Sequence, residues 1–315
     1  MKQVSAFFRL IRFQNLFFIA LTQWLFYYCI ILPTYAINNL TCIIDSFTLY
    51  LIISASVCIA AAGYIINDYF DLNIDRVNKP NKLVIETIIK RRWAMLWHLI
   101  LSIVGIVLTG MVSKKVHNLL PLFFNIIAVL LLWFYSTSYK KQLLTGNIII
   151  SLLTSWVIGI LYVAINPLEL INKGTSSFTI LPTIFKFTVL YGGFSFIISM
   201  IREVVKDLED RIGDEKYGCK TMPIVWGIHA SKVFVMVWLI VLIAAIGIVL
   251  IYAIQLQWWW TILYGLICSI IPLSIVVNTL IKAEQPNDYH KVSSLIKWVM
   301  LGGILSMICI KWYLQ

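Results

Sequence analysis

The sequence predicts an all-α, polytopic membrane bundle of nine transmembrane helices. Three observations predict it. The 315-residue chain is 61% hydrophobic and only 12% charged, with a mean hydropathy of +0.90, where a soluble domain carries about 25% charged residues. Nine segments reach the ~20 apolar residues that a helix needs to cross the hydrocarbon core. The basic residues then alternate between rich and poor connecting regions, as the positive-inside rule requires.

Residues 1–14 carry Lys2, Arg9 and Arg12 interleaved with Phe7, Phe8, Leu10 and Ile11. That is the pattern of an interfacial amphipathic helix leading into the first span, not of a cleaved leader. The spans follow at roughly 15–37, 46–67, 93–112, 117–135, 147–165, 178–201, 229–254, 258–281 and 292–313. The whole of 1–315 reads as a single integral-membrane domain. Two connections are long, 68–92 and 202–228. Trp258, Trp259 and Trp260 fall in a predicted outer loop as an interfacial aromatic belt. The six cysteines are scattered without a C-x-x-C and read as small apolar packing residues.

With the N-terminus inside, 19 of the 25 Lys and Arg fall in inner regions. Lys114, Lys115, Lys173 and Lys311 fall outside, and Lys186 and Lys297 lie within spans, where long side chains can snorkel. The N-terminus is therefore placed in the cytoplasm and the C-terminus outside. The net charge of +11 is explained by topology, which removes the case for a nucleic-acid partner. Both long loops follow even-numbered spans and emerge on the cytoplasmic face.

Those loops hold the chemistry. Of the 14 Asp and Glu, 10 lie between positions 68 and 86 or between 203 and 215. On a helical extension of span two, Asn67, Asp71 and Asp75 share one face and Asp68 lies beside them. In the second cluster Glu203, Asp207, Asp210 and Asp214 step by four, three and four, again a single stripe. A rise of about 6 Å per four residues lets each helix present several oxygens to a hard cation. Magnesium takes a few carboxylates together with substrate phosphates, so two stripes suit a diphosphate held between metal ions. Solvated acids balancing local bases would account for one such loop. Two on the same face, both in helical register, argue for a site. Arg76, Lys79, Lys82, Lys140, Arg202 and Lys206 lie near enough in sequence to stabilise charge on a leaving diphosphate. Aromatic residues, 14% of the chain, could line a tunnel for an isoprenoid chain and stabilise an allylic cation. His98, His117, His229 and His290 show no metal spacing, and no Walker A, G-x-G-x-x-G or Ser/His/Asp pattern occurs.

The stretches Asn67-Asp-Tyr-Phe-Asp71-Leu-Asn-Ile-Asp75 and Asp207-Leu-Glu-Asp210-Arg-Ile-Gly-Asp214 resemble the paired motifs of the UbiA superfamily of intramembrane prenyltransferases. Arg12-x-x-Asn15, Tyr135-Ser-x-x-x-Lys140 and Ser293-x-Leu-Ile-Lys-x-x-Met300 extend the resemblance over nearly the whole chain. It implies a central cavity opening sideways to lipid and Mg2+-dependent transfer of a prenyl group from a polyprenyl diphosphate to a lipophilic acceptor. It implies metal or diphosphate roles for Asn67, Asp71, Asp75, Asp207, Asp210 and Asp214, with Asp68 and Glu203 as further candidate metal ligands. Lys140 is implied at the diphosphate, with Asn15, Arg76, Lys82, Tyr135, Arg202 and Lys206 as further candidates there. Asp71, Asp75, Asp207, Asp210 and Lys140 are the candidate catalytic set. The second motif, with Lys220-Thr-x-Pro223 after it, looks closest to the geranylgeranylglycerol-phosphate geranylgeranyltransferase branch. Where that branch continues with Arg-Pro and a Gly-containing turn, this chain reads Lys82-Leu-Val-Ile-Glu86-Thr. An aromatic acceptor of quinone synthesis (4-hydroxybenzoate, homogentisate or dihydroxynaphthoate type) is the alternative. A transporter is the competing class, disfavoured because the charges gather at helix ends rather than mid-span.

Overall fold

The computed structural model describes residues 2–80, 83–166 and 177–314. Lys82 and Lys173 lie outside the described residues. Among those described, nine helices are long and apolar enough to cross a membrane: Phe13–Ile37, Ser46–Asn78, Arg91–Lys115, Leu120–Thr137, Thr145–Ala164, Ile180–Lys216, Gly227–Gln255, Trp259–Lys282 and Pro286–Lys311. They are spans one to nine below. An N-terminal helix, Lys2–Leu10, buries Ala6 and Leu10 and sets Phe7 against Trp97 of span three, ring centroids 5.0 Å apart.

The lengths are informative. Span two begins at a cap: the Asp45 carboxylate accepts the Thr48 backbone N–H at 2.9 Å and satisfies one of the orphan donors of the first turn. From there it runs 33 residues to Asn78, about 50 Å at 1.5 Å per residue. The hydrocarbon core is only about 30 Å thick, so the last turns stand clear of lipid. The helix that contains span six is longer still, 40 residues from Ser177 to Lys216. The expected long loops are therefore corrected. The acids sit on uninterrupted helix, and the connections shrink to 79–90 and 217–226, the latter holding a short helix, Met222–Val225. The apolar runs end earlier than the helices because helix continues wherever i→i−4 bonds can close, whatever the side chains meet.

Span two packs along span three, span five along span six, and span six along span nine. Wide π-helical turns at Tyr27–Ile31 in span one and Leu266–Ile270 in span eight each precede a proline, Pro33 and Pro272. A proline lacks the N–H that the carbonyl four residues back would accept, and the wide turn absorbs the misfit. At the far end from the acids, Trp258 stacks on Tyr313 with centroids 4.9 Å apart, while Trp259 and Trp260 are exposed, as an interfacial belt would be. All six cysteines are free thiols.

Candidate active site

Both acidic stripes reach the same end of the bundle and are bolted to each other there. The Asn78 amide donates to the Asp210 carbonyl at 2.8 Å, and its Oδ1 accepts the Gly213 N–H at 2.8 Å. Lys79 Nζ donates to Asp210 Oδ2 at 2.6 Å. Position 213 has no room for a side chain: a Cβ there would lie 2.5 Å from Asn78 Nδ2. Glycine is therefore what lets spans two and six approach.

Between the stripes lies a cavity of about 850 Å³, walled by spans one, two, four, five, six and nine. Its mouth is charged and its depth is apolar. On span two, Asn67 Nδ2 donates to Asp71 Oδ2 at 2.7 Å, the contact that i, i+4 spacing predicts. Asp71, 4% exposed, also accepts from Lys140 Nζ. Lys140 projects from a tight turn, Tyr139–Lys141, that rests on the first turn of span five. Gly146 makes room for it, since a Cβ there would meet the Tyr139 carbonyl at 2.9 Å. Burial works against the charge on Lys140, but the surrounding acidic groups, Asp71 first and Asp75 with it, together outweigh burial and raise the ammonium pKa well above its ordinary value. Lys140 therefore stays charged across the physiological range. On span six, Asp207 accepts from the Asn147 amide of span five at 2.8 Å.

The donors suit a hard divalent ion. Asn67 Oδ1 and Asp210 Oδ1 are buried without a hydrogen-bond partner, and such orphaned acceptors are expensive unless something cationic meets them. Asp75 and Asp214 line the same space and form no ion pair among the described residues. Among the described residues no three carboxylate, His or Cys ligands stand together as a ready-made cage. Magnesium does not demand one, because it keeps waters and takes substrate phosphates beside one or two carboxylates.

Asn15, Asn67, Asp68, Asp71, Asp75, Tyr135, Lys140, Arg202, Glu203, Lys206, Asp207, Asp210 and Asp214 all line this one cavity. Arg76 does not. It is one residue past Asp75, some 100° around the helix, and its guanidinium bonds Glu86 Oε2 at 2.5 Å on the outer side. The expectation that Arg76 faces the diphosphate is corrected on that ground. Lys297 lines the cavity from span nine. The residues 83–85, where the branch pattern is lost, fold inward. Val84 and Ile85 are buried and Leu83 lines the cavity with them. The turn closes through Glu86 in the left-handed region, φ 67°, pinned by Arg76.

Sequence reasoning passed over Asn78, Lys79 as the partner of Asp210, Gly213 and Asn147. Asn147 carried a signal, an amide in an otherwise apolar run. The tunnel aromatics also become visible. Trp156, Tyr191 and Phe194 line the depth, Trp156 fixed by its indole N–H on Asn125 Oδ1 at 2.8 Å. Behind that wall Gln23, fully buried, donates to Ser56 Oγ and to the Val157 carbonyl, both at 2.9 Å.

Comparison with known proteins agrees with this geometry. Residues 29–300 match the UbiA prenyltransferase family. The chain is 29% identical over 264 residues to the digeranylgeranylglyceryl phosphate synthase of Methanosphaera stadtmanae, covering 82% of this chain and 86% of that one. A structure solved for digeranylgeranylglyceryl phosphate synthase in membranes superposes with a TM-score of 0.64 at 26% identity, covering 98% of this chain and 99% of that one. A UbiA homologue from Archaeoglobus fulgidus bound to GPP and Mg2+ gives a TM-score of 0.60 at 14% identity, over 96% and 99%. At that identity the likeness is one of fold.

Proposed function

The chain belongs to the UbiA prenyltransferase family, and on that premise we propose that it transfers a prenyl group from a polyprenyl diphosphate to a glyceryl phosphate ether acceptor in membrane-lipid synthesis. The observation that carries the reading is the pair of facing oxygen-only stripes, with orphaned acceptors at Asn67 and Asp210 and Lys140 between them. The resemblance of the chain to digeranylgeranylglyceryl phosphate synthases supports the glyceryl phosphate acceptor over an aromatic one.

Asn67, Asp71, Asp75, Asp207, Asp210 and Asp214 would hold Mg2+ with the diphosphate. The ion supplies positive charge that neutralises the leaving group. Lys140, kept charged by Asp71, is placed to stabilise the negative charge that grows on the diphosphate as the allylic C–O bond breaks. Asn147 orients the Asp207 carboxylate, and Asn67 orients that of Asp71. The Asn78–Gly213 crossing holds the two stripes in register. The apolar depth takes the prenyl chain and keeps water from the cation, with Trp156, Tyr191 and Phe194 along its walls.

Purified protein in detergent, given geranylgeranyl diphosphate and geranylgeranylglyceryl phosphate, should release diphosphate and form the diether, detected by mass spectrometry. Excess EDTA should abolish turnover and added Mg2+ or Mn2+ should restore it, as hard oxygen donors predict. Full turnover in EDTA, or product only with an aromatic acceptor, refutes the reading.

We further propose that the acidic end of the bundle and the N-terminus face the cytoplasm and that the C-terminus lies outside. The asymmetry of the bases supports it. Single cysteines at position 86 or 217, introduced into a cysteine-free background, should react with impermeant maleimide only from the cytoplasmic side. Labelling from opposite sides, or from outside alone, overturns this orientation.

A further inference from the structure

The bases lining the cavity fall into two sets. Lys140 and Lys79 are taken up by Asp71 and Asp210, and that pole still has Asp75, Asp207 and Asp214 to spare. It is a pole for cations.

Around Arg12 the balance reverses. Arg12 Nη2 donates to Asp68 Oδ1 at 2.7 Å, with its guanidinium 5.1 Å from the centroid of the Tyr64 ring. Lys206 and Arg202 share a single carboxylate oxygen, Glu203 Oε1, at 2.6 and 3.4 Å. Arg12 is close enough to Glu203 and Lys206 to act on their charges. Three basic side chains, Arg12, Arg202 and Lys206, thus gather on two carboxylates. Arg202 Nε is buried with no hydrogen-bond partner. A guanidinium donor left over in a low-dielectric pocket is costly unless an anion reaches it.

The backbone points the same way. Arg12 sits in the left-handed region, φ 51°, which for a residue other than glycine is strained and gathers at functional sites. That bend starts span one at Phe13 and turns the first residues of the helix, Phe13, Gln14 and Asn15, onto the cavity. The positive end of the helix dipole therefore adds to the same pole.

We propose that this basic pole, formed by Arg12, Arg202 and Lys206 at the start of span one, binds the phosphate monoester of the prenyl acceptor. The proposal rests on the functional reading above and reassigns Arg202 and Lys206, which the sequence pattern had placed at the diphosphate. Glu203 and Asp207 are one turn apart on one stripe, about 6 Å. An acceptor anchored by its phosphate at the first pole holds its hydroxyl next to the carbon ionising at the second, and such alignment is worth orders of magnitude in rate. The allylic C–O bond breaks with its electron pair leaving on the diphosphate. The acceptor oxygen bonds to that carbon, and the hydroxyl proton passes to the departing diphosphate. The planar guanidinium groups suit a phosphate's oxygens, whereas a neutral alcohol brings no charge to the buried Arg202 Nε.

The test compares geranylgeranylglyceryl phosphate with its dephosphorylated alcohol as acceptors, in wild-type protein and in Arg202→Gln and Arg12→Gln variants. Wild-type protein should prefer the phosphate at least tenfold in kcat/KM. In each variant that preference should fall toward unity, while the Kd for the prenyl diphosphate, measured without acceptor, holds. The ratio is internal to one preparation, so a partly unfolded variant does not mimic the result. Arg12, with its side chain 35% exposed, serves if Arg202→Gln fails to fold. Variants that weaken the prenyl diphosphate as much as the acceptor, or keep the preference, overturn the proposal. So does wild-type protein that uses both acceptors equally well, an outcome that leaves the glyceryl ether reading standing. Wild-type protein that prenylates neither glyceryl acceptor refutes the functional reading itself, before any variant is made.

Discussion

Asp71→Ala and Asp207→Ala should each lower kcat by at least 10²–10³-fold, because each removes a carboxylate that would hold the cation meeting the leaving group's charge. Loss of one group that stabilises the developing charge directly is worth about 3–4 kcal/mol, and loss of a ligand to the ion that would neutralise the leaving group should cost no less. The two variants differ in what they leave behind. Asp207 accepts only an amide, from Asn147, so its loss strands no charge. Asp71 is the partner of Lys140. Its removal relieves repulsion with Asp75 but also frees a buried ammonium, which the neighbouring Asp75 can take up. Both proteins should therefore stay folded, with Asp71→Ala the less stable of the two. Glu215→Ala, on the exposed end of the same helix, is the control and should change the rate less than twofold. Glu86 is not a neutral control, since it pins the 83–90 turn through Arg76. Initial rates, read beside thermal unfolding in detergent, decide the matter. A near wild-type rate in Asp71→Ala, or a loss that follows unfolding alone, would show the carboxylates to be structural.

The bundle was legible because lipid imposes a simple rule. Backbone polar groups must be satisfied inside each segment, so every span announces itself as a run of about 20 apolar residues. The two stripes were legible for a related reason: steps of three and four residues put side chains on one face wherever the helix continues. What the pattern does not carry is the identity of the partners. Arg76 and Lys79 are both bases three residues apart just past the first stripe, yet one turns outward to Glu86 and the other crosses to Asp210. The helical step sets them on different faces, since Lys79 continues the register of Asn67, Asp71 and Asp75 while Arg76 lies some 100° away, but which carboxylate each meets depends on where span six approaches. The same holds for Gly213, whose significance appears only when Asn78 is found against it, and for Arg12, whose left-handed backbone turns the start of span one toward the site. The tunnel aromatics were hidden among many that face lipid, and only the packing of spans five, six and nine sorts Trp156, Tyr191 and Phe194 from them.

Lys140→Gln should lower kcat by about 10²–10³-fold while raising the KM for prenyl diphosphate far less. Lys140 is charged in the resting protein through Asp71, so its ammonium is in place before the diphosphate departs and needs no reorganisation when charge develops. A contact that strengthens as the leaving group becomes more negative appears in kcat; one that holds substrate and transition state alike appears only in KM. Glutamine keeps a donor near Asp71 but not the charge, so the substitution isolates the electrostatic contribution. It also leaves the Asp71 carboxylate buried without its cation, a change that in buried ion pairs destabilises by about 3–5 kcal/mol. Some of that loss should be recovered when Mg2+ is added, because the freed carboxylate becomes available to the ion. The double variant Asp71→Ala/Lys140→Gln tests the coupling directly: residues in one ion pair are not additive, so it should be more stable than Lys140→Gln alone and no slower than the slower single variant by more than a few fold. Rates, KM values and Mg2+-dependent thermal shifts on the three proteins provide the check. Lys140→Gln that loses affinity for prenyl diphosphate but keeps kcat would make Lys140 an anchor for the bound substrate, with no part in stabilising the departing diphosphate.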